Sequence, residues 1–176
     1  MKYSVVIATC NRASELRETL HSLAALSVHD PWEVIVVDNN STDDTRTAVR
    51  LSALNFPAPL RYLFEATPGR SAALNTGIQA AEGDVIVTTD DDVRVEPGWL
   101  DSAGTALDQL HCDYVGGRVL PIWRAPLPAW LADRPGPQWA VIDKGGDGWA
   151  CMKPRHLSGG NPGYFFNGVD NVFNAG

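Results

Sequence analysis

At 176 residues, 44% hydrophobic and 20% charged, the chain has the length and composition of one soluble globular domain with a substantial core. A formal net charge of −7 excludes the basic stripe that a nucleic-acid surface needs, and leaves room for an anionic ligand held through a cation. Three widely spaced cysteines, Cys10, Cys112 and Cys151, exclude a C-x-x-C zinc site and read as free thiols of a reducing compartment.

In chain order, SVVIA (4–8) predicts a buried strand. SELRETLHSLAAL (14–26) sets Leu16, Leu20 and Leu23 at helical spacing, with Ser14 as the expected N-cap. EVIVVD (33–38) is a second buried strand, and STDD (41–44) has the form of a capping box opening a helix that ends before Pro57 and Pro59. LRYLFE (60–65) predicts a third strand, and RSAALNTGIQAA (70–81) a helix closed by Gly83. DVIVTTD (84–90) is the fourth strand, followed by the helix PGWLDSAGTALDQL (97–110) with Pro97 near its first turn. This alternation predicts an α/β fold, a mostly parallel sheet with helices on both faces. CDYVGGRVLPIW (112–123) reads as one more strand, with Gly116 and Gly117 at a bulge or a close backbone approach.

Beyond residue 123 the chain turns rich in Gly, Pro, Asn and Trp, and only VID (141–143) and GYFFNGV (163–169) look strand-like. The expected organisation is a core over 1–123 and a loop-rich region over 124–176. No apolar run approaches a membrane span, and MKYSVVIATCNR is too short and too soon polar for a signal peptide. The expectation is a cytoplasmic protein, with contact at the inner face of the membrane compatible with it.

Ligands of parallel α/β sheets sit outside the carboxyl ends of the strands. There the sequence places Thr9, Asn11 and Arg12, then Asp38, Asn39 and Asn40, then Glu65 to Arg70, then Asp90, Asp91 and Asp92. Four polar clusters on one edge predict one site, against the alternative of ordinary polar loops. The first turn, ATCNRASEL, lacks both the G-x-G-x-x-G and the G-x-x-x-x-G-K-[ST] phosphate loops. A diphosphate on this edge therefore needs a metal. Asp90 and Asp92 can offer carboxylate oxygens to Mn²⁺ or Mg²⁺, the alternative being a solvated acidic turn. Asp38 can accept a hydrogen bond from a base N–H, with Asn39 and Asn40 shaping the turn and Ser41 left to cap the next helix. Arg12 and Arg70 can contact a nucleotide, Arg70 as a fixed cation near the phosphates.

Together SVVIATCNR, VIVVDNNSTDDT, PGRSAALNTGI and VTTDDDVRVEPGWL resemble the nucleotide-sugar-binding N-terminal half of a family 2 glycosyltransferase with the GT-A, Rossmann-like fold. The resemblance implies a donor-binding core over 1–123 and, over 124–176, a remnant of the acceptor region, truncated or diverged. It implies Thr9 and Arg12 around the base, Asp38 and Asn40 in substrate binding, Arg70 near base or phosphates, Asp90 and Asp91 toward ribose and metal, and Asp92 as the metal ligand. The implied reaction is inverting transfer from a nucleotide-diphosphate sugar, a UDP-sugar by expectation, to a hydroxyl of a carbohydrate, lipid-linked or small-molecule acceptor. A carboxylate base takes the acceptor's proton while the metal acts on the departing diphosphate.

The chain departs from the family pattern in two places. Ala8 and Cys10 replace an aromatic and a proline of the first motif, and no G-E-D-like motif is present. GVDNVF offers Asp170 as the base, ahead of Asp143 and Asp147. Trp123, Trp130, Trp139 and Trp149 are candidates for stacking on an acceptor sugar or for anchoring loops.

The main alternative is a non-catalytic or truncated nucleotide-sugar-binding domain without a working acceptor site. A haloacid-dehalogenase-type phosphatase would carry its D-x-D on the first strand and a small residue where Arg94 stands. A nucleotidyltransferase would carry a Gly-rich loop in place of ATCNRA.

Overall fold

Runs of β-branched residues with few polar interruptions dictate the centre of the molecule. The computed structural model describes residues 1–111, 114–120, 122, 150–151 and 171–174. β1 (Tyr3–Thr9), β2 (Trp32–Asp38), β3 (Leu60–Phe64) and β4 (Val85–Thr89) are mutually parallel. α1 (Ala13–Ala24), α2 (Thr45–Ala53) and α3 (Arg70–Ala80) connect them, and α4 (Trp99–Leu110) follows β4. β5 (Tyr114–Gly116), β6 (Ala150–Cys151) and β7 (Asn171–Asn174) complete a sheet of order β3-β2-β1-β4-β7-β5-β6. β7 runs antiparallel to both β4 and β5, and β6 antiparallel to β5. The α/β architecture expected from the alternation is the one that forms.

The chain steps outward from β1 to β3, then returns to lay β4 on the other side of β1. That reversal makes a switch point between β1 and β4, where such sheets open a crevice at their carboxyl ends.

Successive strand residues face opposite sides, so each strand feeds two cores. Val5, Ile7, Val34, Val36 and Val87 pack with Leu16, Leu20 and Leu23 of α1, Val49 of α2 and Leu100 and Leu107 of α4. Ile35 and Val37 pack with Ala73 of α3 on the other face. A leucine buried this fully contributes roughly 1.5–3 kcal/mol, so the α1 triplet alone fixes that helix against the sheet.

Several local expectations are corrected. Ser14 is not the cap of α1: it lies inside the helix, and the Ala13 N–H is taken by Asp43 Oδ2 at 2.9 Å. STDD does not act as a capping box, since α2 begins only at Thr45, whose N–H and Oγ1 donate to Asp43 Oδ1. One carboxylate thereby closes the starts of two helices, and the bonds from Thr45 hold it below the usual carboxylate range. Gly83 does not end α3 in a left-handed turn. It is glycine because a Cβ would fall 2.6 Å from the Ser4 nitrogen and 2.8 Å from the Lys2 carbonyl oxygen. Of the strand expected over 112–123, the described residues form only the three of β5. VID and GYFFNGV, Cys112 and the four tryptophans of the second region lie outside the described residues. Cys10 is an exposed free thiol, and no helix among the described residues is long and apolar enough to cross a membrane.

The amino ends of the strands are tied by one buried carboxylate. Glu33 Oε1 accepts from Ser4 Oγ at 2.7 Å and from the Glu82 N–H at 2.9 Å, and its Oε2 accepts from Arg61 at 2.9 Å. Burial alone would raise this carboxyl, but the bonds from Ser4, Arg61 and Glu82 outweigh it and hold the group below its ordinary value. A lowered carboxyl stabilises the fold above its unfolded value and loses that contribution as pH falls through the folded one. Glu33→Gln should therefore destabilise by about 1–3 kcal/mol at neutral pH, with the gap to wild type narrowing below about pH 4; urea unfolding across pH checks both. A second substitution tests the seating of α3. A Cβ at Gly77 would stand 2.4 Å from Val6 Cγ1 and 3.0 Å from Val37 Cγ2. On an exposed helix Gly→Ala gains up to about 1 kcal/mol, whereas here overpacking should reverse the sign and cost about 1–3 kcal/mol.

Candidate functional site

The strand registers bring the polar clusters to one edge. Thr9 lies beside Asp38, Asp38 beside Phe64, and Ile7 beside Thr89, so the residues that follow β1, β2, β3 and β4 share the carboxyl side of the sheet. β7 begins at the same edge, with Asn171 opposite Thr88.

The three aspartates after β4 meet three separate parts of the protein. Thr9 Oγ1 donates to Asp91 Oδ2 at 2.7 Å. The Arg12 guanidinium lies 3.3 Å from Asp91 Oδ1 and donates to Asp92 Oδ2 at 2.8 Å. Arg70, the first residue of α3, donates to Asp90 Oδ1 at 2.5 Å. Asp91 is buried, while Asp90 and Asp92 keep 31% and 43% of their side-chain surface in solvent. Burial pushes the Asp91 carboxyl above the usual range, against the opposing pull of the Thr9 hydroxyl and the Arg12 charge. Three carboxylates against two guanidiniums leave the cluster one negative charge in excess, with its outer members accessible. Such a set can take up a cation and an anion together.

The neighbouring loops are braced rather than loose. Asp38 is buried, accepting from the Ser41 N–H at 2.9 Å and from Tyr62 Oη at 2.7 Å. Burial and that bond push the Tyr62 phenol up to about 12. Ser41 does not cap α2: its hydroxyl accepts from the Asn11 N–H at 2.9 Å. The turn-shaping expected of Asn39 and Asn40 is clear in their bonds. Asn39 donates to the carbonyls of Glu65 and Thr67 and accepts from the Gly69 N–H; Asn40 donates to the carbonyls of Glu65 and Ala66. Asn11 and Asn40 both take positive φ, 55° and 65°, a conformation that Asn tolerates better than most residues.

Thr9, Arg12, Arg70, Asp90, Asp91 and Asp92 thus come together in one polar cluster, with Asp38 and Asn40 in the adjoining turn. Asp170, Asp143 and Asp147 lie outside the described residues. Sequence reasoning missed Asp43 and Tyr62. Asp43 was visible only as part of an apparent capping box, and nothing local marks Tyr62 as the partner of a strand-end carboxylate.

A cleft of about 440 Å³ lies at the opposite edge, lined by Pro31, Trp32, Glu33, Pro57, Pro59 and Arg61 among others. Glu33 and Arg61 are already paired with each other there. The three aspartates of the acidic turn and their two arginine partners lie at the carboxyl edge instead.

Residues 4–173 match the family model described as glycosyl transferase family 2. The chain is 33% identical over 117 residues to the uncharacterized glycosyltransferase YwdF of Bacillus subtilis, covering 64% of this chain and 42% of that protein. It is 29% identical over 140 residues to the dodecaprenyl-phosphate galacturonate synthase of Rhizobium johnstonii, covering 76% and 41%. Among solved structures it resembles S. aureus TarS 1–349 in complex with UDP, with TM-score 0.64 and 28% identity over 73% of this chain and 38% of that one. It also resembles the mannosyltransferase PcManGT of Pyrobaculum calidifontis in complex with GDP-Man and Mn²⁺, with TM-score 0.58 and 31% identity over 64% and 34%. The chain spans less than half the length of each of these relatives.

The Asp91 environment makes a pH prediction. A carboxyl raised by folding favours the folded state below its unfolded value and loses that contribution as pH rises through the folded one. Thr9→Val removes a group that lowers it, so the Asp91 carboxyl should move further up, as read by carbon-13 carboxyl titration. Stability at neutral pH should fall by about 1–2 kcal/mol. An unmoved Asp91 titration would contradict the assigned bond.

Proposed function

This chain belongs to glycosyl transferase family 2 and has the GT-A fold, and from that premise we propose that it binds a nucleotide-diphosphate sugar at the carboxyl edge of its sheet and transfers the sugar to an acceptor hydroxyl with inversion. The observation that carries this reading is the convergence of Asp90, Asp91 and Asp92 with Arg12 and Arg70 at the β1/β4 switch point. A uridine donor is the preferred assignment, supported by the likeness to TarS in complex with UDP.

The donor chemistry of the site fits a hard divalent cation. Among the described residues no group of three or more His, Cys, Asp or Glu could hold a metal by itself. Two carboxylates, with phosphate oxygens and water completing the shell, is the pattern of a Mg²⁺-type site. Asp90 and Asp92 would hold Mn²⁺ or Mg²⁺ in this way, and the likeness to a mannosyltransferase in complex with Mn²⁺ supports it. The bound ion supplies charge neutralisation for the departing diphosphate.

The chain's own residues do the rest. Asp91, held by Thr9, fixes the position of Arg12 between itself and Asp92. Arg12 and Arg70 bind donor anionic oxygens, for which the planar guanidinium is suited. Asp38 has lone pairs beyond those engaged by Ser41 and Tyr62, and takes a base N–H with them. Asn40 contributes by shaping the turn that Asp38 begins. For the base that receives the acceptor's proton we retain Asp170, the acidic residue of the GVDNVF motif. We assign donor binding to residues 1–123 and acceptor binding, with its carbohydrate, lipid-linked or small-molecule hydroxyl, to 124–176.

Calorimetric titration of UDP, GDP and dTDP tests this reading. UDP should bind best with Mn²⁺ and lose at least about tenfold in affinity with a chelator. Asp92→Asn should lose the metal-dependent part while keeping its fold, because removing one of three adjacent carboxylates relieves repulsion. Undiminished Mn²⁺-dependent affinity in that variant, or no nucleotide binding in wild type, would sink the assignment.

A further inference from the structure

The two aspartates assigned to the cation are each paired with a different arginine of the same chain. Arg12, at the mouth of α1, lies 2.8 Å from Asp92 and also faces Asp91. Arg70, opening α3, lies 2.5 Å from Asp90. The pairs are not buried locks: side-chain exposure is 45% and 43% for Arg12 and Asp92, and 37% and 31% for Arg70 and Asp90. Ion pairs this exposed are weak enough to exchange.

Charge compensation then links the two ligands. A divalent cation arriving alone must displace Arg12 from Asp92 and Arg70 from Asp90, and adds two positive charges beside both guanidiniums. A diphosphate arriving alone meets guanidiniums already engaged and an excess of carboxylate. When the two arrive together, the cation takes Asp90 and Asp92 while the released guanidiniums take phosphate oxygens. The cation's charge then offsets that of the diphosphate, and each guanidinium keeps an anionic partner.

We propose that Arg12 and Arg70 are exchangeable counter-ions, competing with the cation for Asp92 and Asp90 and moving to the diphosphate when it binds, so that metal and nucleotide bind cooperatively. This rests on the donor-site reading above. It assigns the two arginines a role in ordering ligand entry: the cation is held well only when an anionic donor comes with it. Both arginines are therefore positioning residues for the metal as well as binding residues for the donor.

The test is Mn²⁺ binding, followed by the electron paramagnetic resonance of the free ion, with and without UDP. It compares wild type with Arg12→Gln, Arg70→Gln, the double variant and Arg94→Gln. Arg94 lies two residues after Asp92 but pairs with Glu18 and the Val93 carbonyl, so it removes the same charge from the same neighbourhood without touching the exchange. Each single variant at Arg12 or Arg70 should bind Mn²⁺ alone about threefold more tightly than wild type, and the double variant about tenfold. Arg94→Gln should change it by less than about twofold. The factor by which UDP strengthens Mn²⁺ binding should shrink in the Arg12 and Arg70 variants, as reciprocal coupling requires.

Nitrogen-15 spectra of the wild-type guanidiniums, with diamagnetic Mg²⁺, give a reading that needs no variant to fold. The Arg12 and Arg70 signals should shift when Mg²⁺ and UDP are present together. If wild type binds Mn²⁺ with UDP but the Arg12 and Arg70 variants bind Mn²⁺ alone no better than Arg94→Gln does, the exchange is overturned and the donor site stands. Guanidinium signals that stay put at saturation overturn it equally. Wild type that binds neither ligand overturns the donor site, and the exchange with it.

Discussion

Three carboxylates in succession at the end of β4 set the terms for the rest of this structure. Unit charges about 4 Å apart at the dielectric typical of a protein surface interact by about 4 kcal/mol, so Asp90, Asp91 and Asp92 cannot stand together without compensation. The sheet order provides it. β1 lies beside β4 with Ile7 opposite Thr89, which carries the chain leaving β1 past the acidic turn and delivers Thr9 to Asp91 and Arg12 to Asp91 and Asp92. α3 packs on the other face and starts with Arg70, which reaches Asp90. Each aspartate is answered by a different junction of the fold, and the site exists because those junctions meet.

The two ends of the sheet are built for different purposes. At the amino end Glu33 is buried among Ser4, Arg61 and the Glu82 N–H, and its bonds hold it below the usual carboxylate range. At the carboxyl end the buried carboxylate of the acidic turn, Asp91, is pushed the other way and held in place by Thr9 and Arg12. Its neighbours remain exposed. The loops around them are stiffened by short polar ties: Asn39 to three backbone groups, Asp43 to both α1 and α2, and Asp38 to Tyr62. A rim tied in this way favours binding of a charged ligand, since ordering it at binding would cost affinity.

The central strands were legible because VVIA, VIVV and VIV have little choice but to be buried, and the helices between them followed from leucine spacing or from their breakers. The shared edge was legible too, because it needs only strand direction. The pairing of Arg12 with Asp92 was not: 80 residues separate them, and only the β1/β4 adjacency brings them together. The caps failed for a related reason. Ser14 and Ser41 have the local chemistry of N-caps, but Asp43 reaches the α1 terminus from a neighbouring loop and Ser41 is drawn off to Asn11. Gly83 looked like a helix terminator and is instead a point of backbone contact. The short strands β6 and β7 carry almost no periodic signal; NVFN, bounded by Asn, becomes a strand only because β4 and β5 offer it hydrogen bonds on both sides.

The most direct test of the account is paramagnetic broadening of backbone amide signals by Mn²⁺ in the presence of UDP. Signals from residues 9–12, 38–41 and 88–92 should be lost selectively, with those around Lys2, Glu33 and Glu82 at the opposite edge untouched. Broadening centred on the amino edge, or spread evenly over the surface, would contradict it.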